Sequence, residues 1–143
     1  MSILRNILAI IVGLVVGSIA NMALVKIGYQ TVPPPAGLDV NDLNSFKEHG
    51  HLLEPKHFVF PFLAHAVGTL VGAAVAHVIA ATKRKAMSLV IGVVFLLGGI
   101  AACFMIPAPA WFIALDLLLA YVPMALIGAC LGGKLRKEAS PVA

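Results

Sequence analysis

The chain has 143 residues, of which 61% are apolar and 11% charged, and its formal net charge is +4. Soluble domains carry roughly 45–50% apolar and about 25% charged residues, so ten basic and six acidic side chains are too few to wet the surface of a water-soluble domain. The composition excludes a soluble enzyme domain, a disordered chain and a disulfide scaffold, and the length points to a single domain.

A helix needs about 20 apolar residues to cross a bilayer, and four segments meet that length. The first is 7–27. It exceeds the 7–15 apolar residues typical of a secretory signal, and it is predicted to be a retained helix. Gly28 and the run Pro33-Pro34-Pro35 end it. The loop 28–57 follows. Thr31 to Gly37 is predicted to be extended, because proline fixes φ and offers no donor. Asp39 or Asn41 is predicted to cap a short helix over 40–49, whose apolar edge of Val40, Leu43 and Phe46 would lie on the membrane surface. The second span is 58–82, and Lys83-Arg84-Lys85 ends it. The third is 86–106, stopped by Pro107 and Pro109. The fourth is 110–132, ended by Gly132-Gly133 and Lys134. The predicted fold is an all-α bundle of four transmembrane helices forming one domain over 1–143.

Lysine and arginine set orientation. With the N-terminus inside, Arg5, Lys83, Arg84, Lys85, Lys134, Arg136 and Lys137 are cytoplasmic, and only Lys26, Lys47 and Lys56 are outside. Tyr29, Phe58, Phe60, Phe62, Trp111 and Phe112 gather at the outer boundary. Both termini are therefore predicted to be cytoplasmic, the loop 28–57 extracytoplasmic, and the location the inner (cytoplasmic) membrane. The basic residues sit where topology requires them, which leaves no nucleic-acid face. Cys103 and Cys130 are predicted near opposite surfaces, too far apart for the Cα separation of about 7 Å that a disulfide tolerates.

Lipid tails are as apolar as leucine, so helices in membranes associate where small residues let backbones approach. Gly13 and Gly17 form such a face on the first span, with Asn21 at the same spacing. Ala64, Gly68, Gly72 and Ala76 form the longest one, on the second span, and Gly128 and Gly132 the one on the fourth. The third span has Gly92 and Gly98-Gly99 with less regular spacing. The partner of each face is another helix of the chain, another copy in a homo-oligomer, or a larger membrane complex.

A polar group in hydrocarbon needs a partner, a water path or a function. At 1.5 Å rise per residue, Asn21 lies about 10 Å below the outer surface, His65 roughly 12 Å and Asp116 about 10 Å. Three helices thus place a polar residue at one level, and Asn21, His65 and Asp116 are predicted to form a hydrogen-bonded cluster. A lone carboxylic acid there takes up a proton, whereas a neighbouring histidine can carry the charge or donate to it. Such a cluster either ties helices together or binds a proton, a cation or a polar head group.

The remaining chemistry is thin. His77 lies near the cytoplasmic interface. It is on the same helix as His65, about 18 Å away, so one chain lacks the facing pair of histidines that would hold haem. Pro123 frees a carbonyl near Leu119 and is predicted to kink the fourth span. Glu48, His49, His51, Glu54 and His57 are metal-ligand types, but their spacing matches no motif, and neither a metal nor a cofactor is predicted. There is no HExxH, Walker or GxSxG sequence. In length and span count the chain resembles small multidrug transporters, which usually carry an acid in the first span; here that span offers only Asn21. Two functions follow as expectations. The glycine faces favour a non-enzymatic accessory or assembly subunit, and the polar cluster favours a small oligomeric proton- or cation-coupled transporter.

Overall fold

The computed structural model describes residues 1–138, and its regular secondary structure is helical, with no strand among the described residues. Helix α1 spans Ser2–Thr31 and α2, in the loop, Leu43–His49. Single 3-10 turns at Gly50–Leu52 and Pro55–Phe58 lead into α3, Val59–Ile79. Helix α4 spans Arg84–Met105, α5 Ala110–Leu119 and α6 Val122–Glu138. Four helical stretches, 2–31, 55–79, 84–105 and 110–137, are long and apolar enough to cross a membrane. The protein is therefore an all-helical, multi-pass membrane protein. On α1 the side chains of Ile3, Leu4, Ile7, Leu8, Ile11, Val15 and Ile19 are exposed, and their surroundings are lipid.

Helix α3 is the hub, packing against α1, α4 and α6. Small residues make this possible. A Cβ placed on Gly17 would lie 2.6 Å from the Gly68 carbonyl oxygen, and one on Gly72 would lie 2.7 Å from the Gly13 carbonyl oxygen. The two backbones of α1 and α3 are thus in direct contact. On the other side of α3, Gly132 meets the Ala74 carbonyl oxygen at 2.7 Å from its would-be Cβ, and Gly128 is pressed against Leu70. Ala73, Ala76, Ile91 and Ala125 form the buried centre, with Ile10, Leu14 and Phe95 around it. The Ser88 hydroxyl donates across to the Ala73 carbonyl at 2.9 Å.

The fourth crossing is not one helix. It breaks at Ala120–Tyr121, and Pro123 stands in the first turn of α6, where its missing N–H costs nothing. Two neighbouring glycines divide the work on α4. A Cβ on Gly99 would collide with the Tyr121 phenol, whereas one on Gly98 would meet nothing within 4 Å.

The end carrying the termini, here the basic end, is tied by side chains to the end of α3. Arg5 Nε donates to Ile79 O at 2.7 Å, Arg84 Nε to Ala80 O at 3.2 Å and Arg136 Nη1 to Val78 O at 2.8 Å. The last carbonyls of a helix have no intrahelical donor, and these guanidinium groups supply it. The Asn6 carboxamide oxygen accepts from Ala81 N at 2.9 Å, and its nitrogen donates to the Thr82 hydroxyl at 3.0 Å. The short α3–α4 connection forces Lys83 to φ 47°, the single positive-φ residue other than glycine among the described residues. Side chains other than glycine's pay roughly 1–2 kcal/mol for this conformation. Lys83→Gly is accordingly expected to raise stability by about 0.5–1 kcal/mol, measured as a shift in the unfolding midpoint in detergent.

At the opposite, loop end the cap of α2 is Asp42, whose side chain accepts from Asn44 N at 2.9 Å. This corrects the expectation of Asp39 or Asn41. Asp39 instead closes a local turn by accepting from Asn41 N at 2.9 Å. The Ser45 hydroxyl pins the loop, accepting from Asp39 N at 2.8 Å and donating to Gly37 O at 3.3 Å. The apolar edge of the loop does not lie flat outside the bundle. Leu38 is buried, Val40 and Phe46 turn toward the helix ends, and only Leu43 remains exposed.

Candidate functional site

The site starts from three polar side chains on the inner faces of α3, α5 and the α5–α6 break. Asp116 is buried, with 5% of its side chain exposed, while His65 retains 29%. His65 Nδ1 lies 2.9 and 3.0 Å from the two Asp116 carboxylate oxygens. The Tyr121 hydroxyl donates to Asp116 Oδ2 at 2.8 Å and lies 3.0 Å from His65 Nδ1. The His65 and Tyr121 rings stack, 5.7 Å between centroids. With Asp116 as the carboxylate, which only accepts, Nδ1 carries the proton and donates to it. That sets the tautomer and orientation of the ring. Nε2 makes no hydrogen bond within the described residues.

Of the three residues expected to cluster, the structure brings together His65 and Asp116 and leaves Asn21 aside. Asn21 packs on Gly68, whose would-be Cβ lies 2.9 Å from Asn21 Cβ, and it makes no side-chain hydrogen bond to either partner. The reason is direction. Gly68 faces α1, whereas the His65 ring reaches toward α5. Tyr121 takes the third place. On an uninterrupted helix, positions five apart point about 140° away from each other, which is why Asp116 and Tyr121 do not read as one face. The break at Ala120–Tyr121 turns the phenol back, and Pro123 just after it is the sequence signal for that break.

The cluster closes one end of a cavity of about 250 Å³ between α1, α3, α4 and α5. The loop roofs it with Leu38, Val40, Phe46 and Leu53. Tyr29, Phe46, Phe58, Phe60 and Phe112 supply aromatic walls, and His65 and Asp116 form the polar end. Phe58 packs on Phe112 at 4.7 Å and edge-on to Trp111 at 5.7 Å at the loop end. The volume is just below the roughly 300–1,000 Å³ of drug-sized ligand sites, so an occupant is small.

The other candidates are placed differently. Among the described residues, no three His, Cys, Asp or Glu side chains gather to hold a metal. In the loop, His57 Nδ1 accepts from Glu54 N at 2.9 Å. Lys56 pairs with Glu54 at 2.9 Å and holds its carboxyl below the usual carboxylate range. Cys103 and Cys130 are both free; Cys103 is half-buried on the cavity wall, and Cys130 is exposed. His77 is remote from the cavity and lies at the basic end.

The chain matches no protein-family model, and comparison with curated proteins and with solved structures gives no match. What the fold and site define is a class only: a four-span helical membrane protein with an aromatic cavity ending on a hydrogen-bonded His–Asp–Tyr cluster.

Proposed function

We propose that the protein is a non-enzymatic, proton-linked carrier of small organic cations in the inner (cytoplasmic) membrane. The observation that carries this reading is the cavity itself: five aromatic residues and one buried carboxylate around a single space. An aromatic face attracts a cation within about 6 Å of its centroid, and the attraction grows as water is removed. Asp116 supplies the opposing charge. A proton on His65 would cancel that charge, so cation and proton compete for one carboxylate. Release of the cation on protonation is the coupling a carrier needs. The excess of lysine and arginine at the end carrying the termini supports placing that end in the cytoplasm and the cavity in the outer half of the membrane.

The alternative of an accessory or assembly subunit drew its support from the glycine faces. Gly13, Gly17, Gly68, Gly72, Gly128 and Gly132 all meet neighbours in the same chain. These six glycines are therefore used within the chain, whereas Gly98 on α4 faces open space.

Phenyltrimethylammonium is a suitable probe, and Trp111, the single tryptophan, reports it through quenching at the rim of the site. His65→Gln removes the group beside Asp116 that would carry the proton, and it is expected to leave probe binding in place while abolishing probe uptake driven by an imposed proton gradient in proteoliposomes. A wild-type protein that fails to bind the probe, or uptake unchanged in His65→Gln, would refute the carrier.

A further inference from the structure

The basic end holds a second arrangement that the cation site does not use. Arg5 from the start of α1, Arg84 from the start of α4 and Arg136 from the end of α6 converge on residues 78–81. Arg84 and Arg136 are half-buried, whereas Lys83, Lys85, Lys134 and Lys137 are exposed. Charges that only mark topology need no such convergence. The backbone carbonyls hold each guanidinium in place, and each keeps further N–H donors of its five in a fixed plane. The ion pairs among the described side chains, Lys56–Glu54 and His65–Asp116, involve none of the three. Beside them runs a groove between α3, α4 and α6, lined by His77, Arg84, Gly133, Arg136 and Lys137. On its wall His77 Nδ1 is buried without a hydrogen-bond partner.

We propose that this groove binds a phosphate group, and that the group belongs to the head of an anionic phospholipid. Three features select phosphate. The donors come from two helices, so they surround an anion instead of lying along one edge. Two are arginines, whose planar forks match phosphate oxygens. The like charges of Arg84 and Arg136, unneutralised by the described side chains, are balanced once an anion sits between them. The location favours a lipid source. The groove lies at the ends of membrane-crossing helices, the depth at which head groups are found, and an ester-linked phosphate can enter from the side. Basic clusters at helix ends attract anionic lipid by about 1 kcal/mol per Lys or Arg; here the held geometry adds selectivity.

The test uses the full chain purified in a neutral detergent, with the thermal unfolding midpoint read after adding phosphatidylglycerol, phosphatidylcholine or sodium phosphate. Phosphatidylglycerol is expected to raise the midpoint well above phosphatidylcholine at equal concentration. A rise with millimolar sodium phosphate as well would show that the groove accepts the free anion. Arg136→Gln removes a cap of α3 and is a poor reporter. Gly133→Asp is a better one, because a Cβ there meets only His77 Nε2, at 3.6 Å, and the new carboxylate enters the groove. It is expected to abolish the preference for phosphatidylglycerol, and Lys137→Gln to weaken it several-fold, while Lys85→Gln leaves it intact. No preference in the wild type, a full preference in Gly133→Asp, or an equal loss in Lys85→Gln would each overturn the proposal.

Discussion

A leucine in place of Gly72 is expected to keep α1 from docking on α3. The position has no room: a Cβ there would lie 2.7 Å from the Gly13 carbonyl oxygen and 3.2 Å from Ile91 Cγ2. The first of these is backbone and cannot swing aside. The helices must separate, which gives up the contacts along Gly17 and Gly68 as well. Overpacking typically costs 1–3 kcal/mol, and about 3 kcal/mol is expected here, read from unfolding of the purified protein in mixed micelles. Gly98→Ala is the matching control. Nothing lies within 4 Å of its Cβ, and removing a helical glycine gains up to about 1 kcal/mol. A Gly72→Leu protein as stable as the wild type would mean that α1 and α3 do not meet as described.

The second large effect is at Asp116. Asparagine keeps the shape but removes the charge, and probe binding is expected to fall about 100-fold, equivalent to roughly 2.7 kcal/mol. The fold should survive, because the remaining carboxamide oxygen still accepts from Tyr121 or His65. Alanine takes away both acceptors. It leaves His65 Nδ1 and the buried Tyr121 hydroxyl without their partner, at a cost of about 1–3 kcal/mol for an unsatisfied buried group. The two variants therefore separate charge from structure. If asparagine binds the cation as tightly as aspartate does, the carboxylate is not its counter-ion and the cluster serves only to join α3 to the fourth crossing.

Much of this was legible in residue order. The four spans follow from runs of apolar residues, and the all-helical membrane fold follows from them, but Gly28 and Gly132-Gly133, read as ends, lie inside helices that continue to Thr31 and Glu138. The level of His65 and Asp116 in the membrane could be counted at a fixed rise per residue. The pairing could not be read in the same way for Asn21 and Tyr121. Asn21 has the right depth but faces Gly68. Tyr121 is set by the break at Ala120–Tyr121, which changes direction where a continuous helix was assumed. The loop shows the same limit. Val40 and Phe46 mark an apolar edge in the sequence, but a lipid surface and the open end of a bundle are equally apolar neighbours.

By itself, then, the chain determined which segments are lipid-soluble and which polar residues they carry down with them, because each of these is a local transfer cost. Only the tertiary structure decided what those residues meet. Helix rotation, a break in one crossing and the fold-back of a loop depend on contacts between distant segments. No periodicity within a single segment encodes them. The aromatic cavity, the His–Asp–Tyr cluster and the convergence of three arginines on the end of α3 all belong to that second kind.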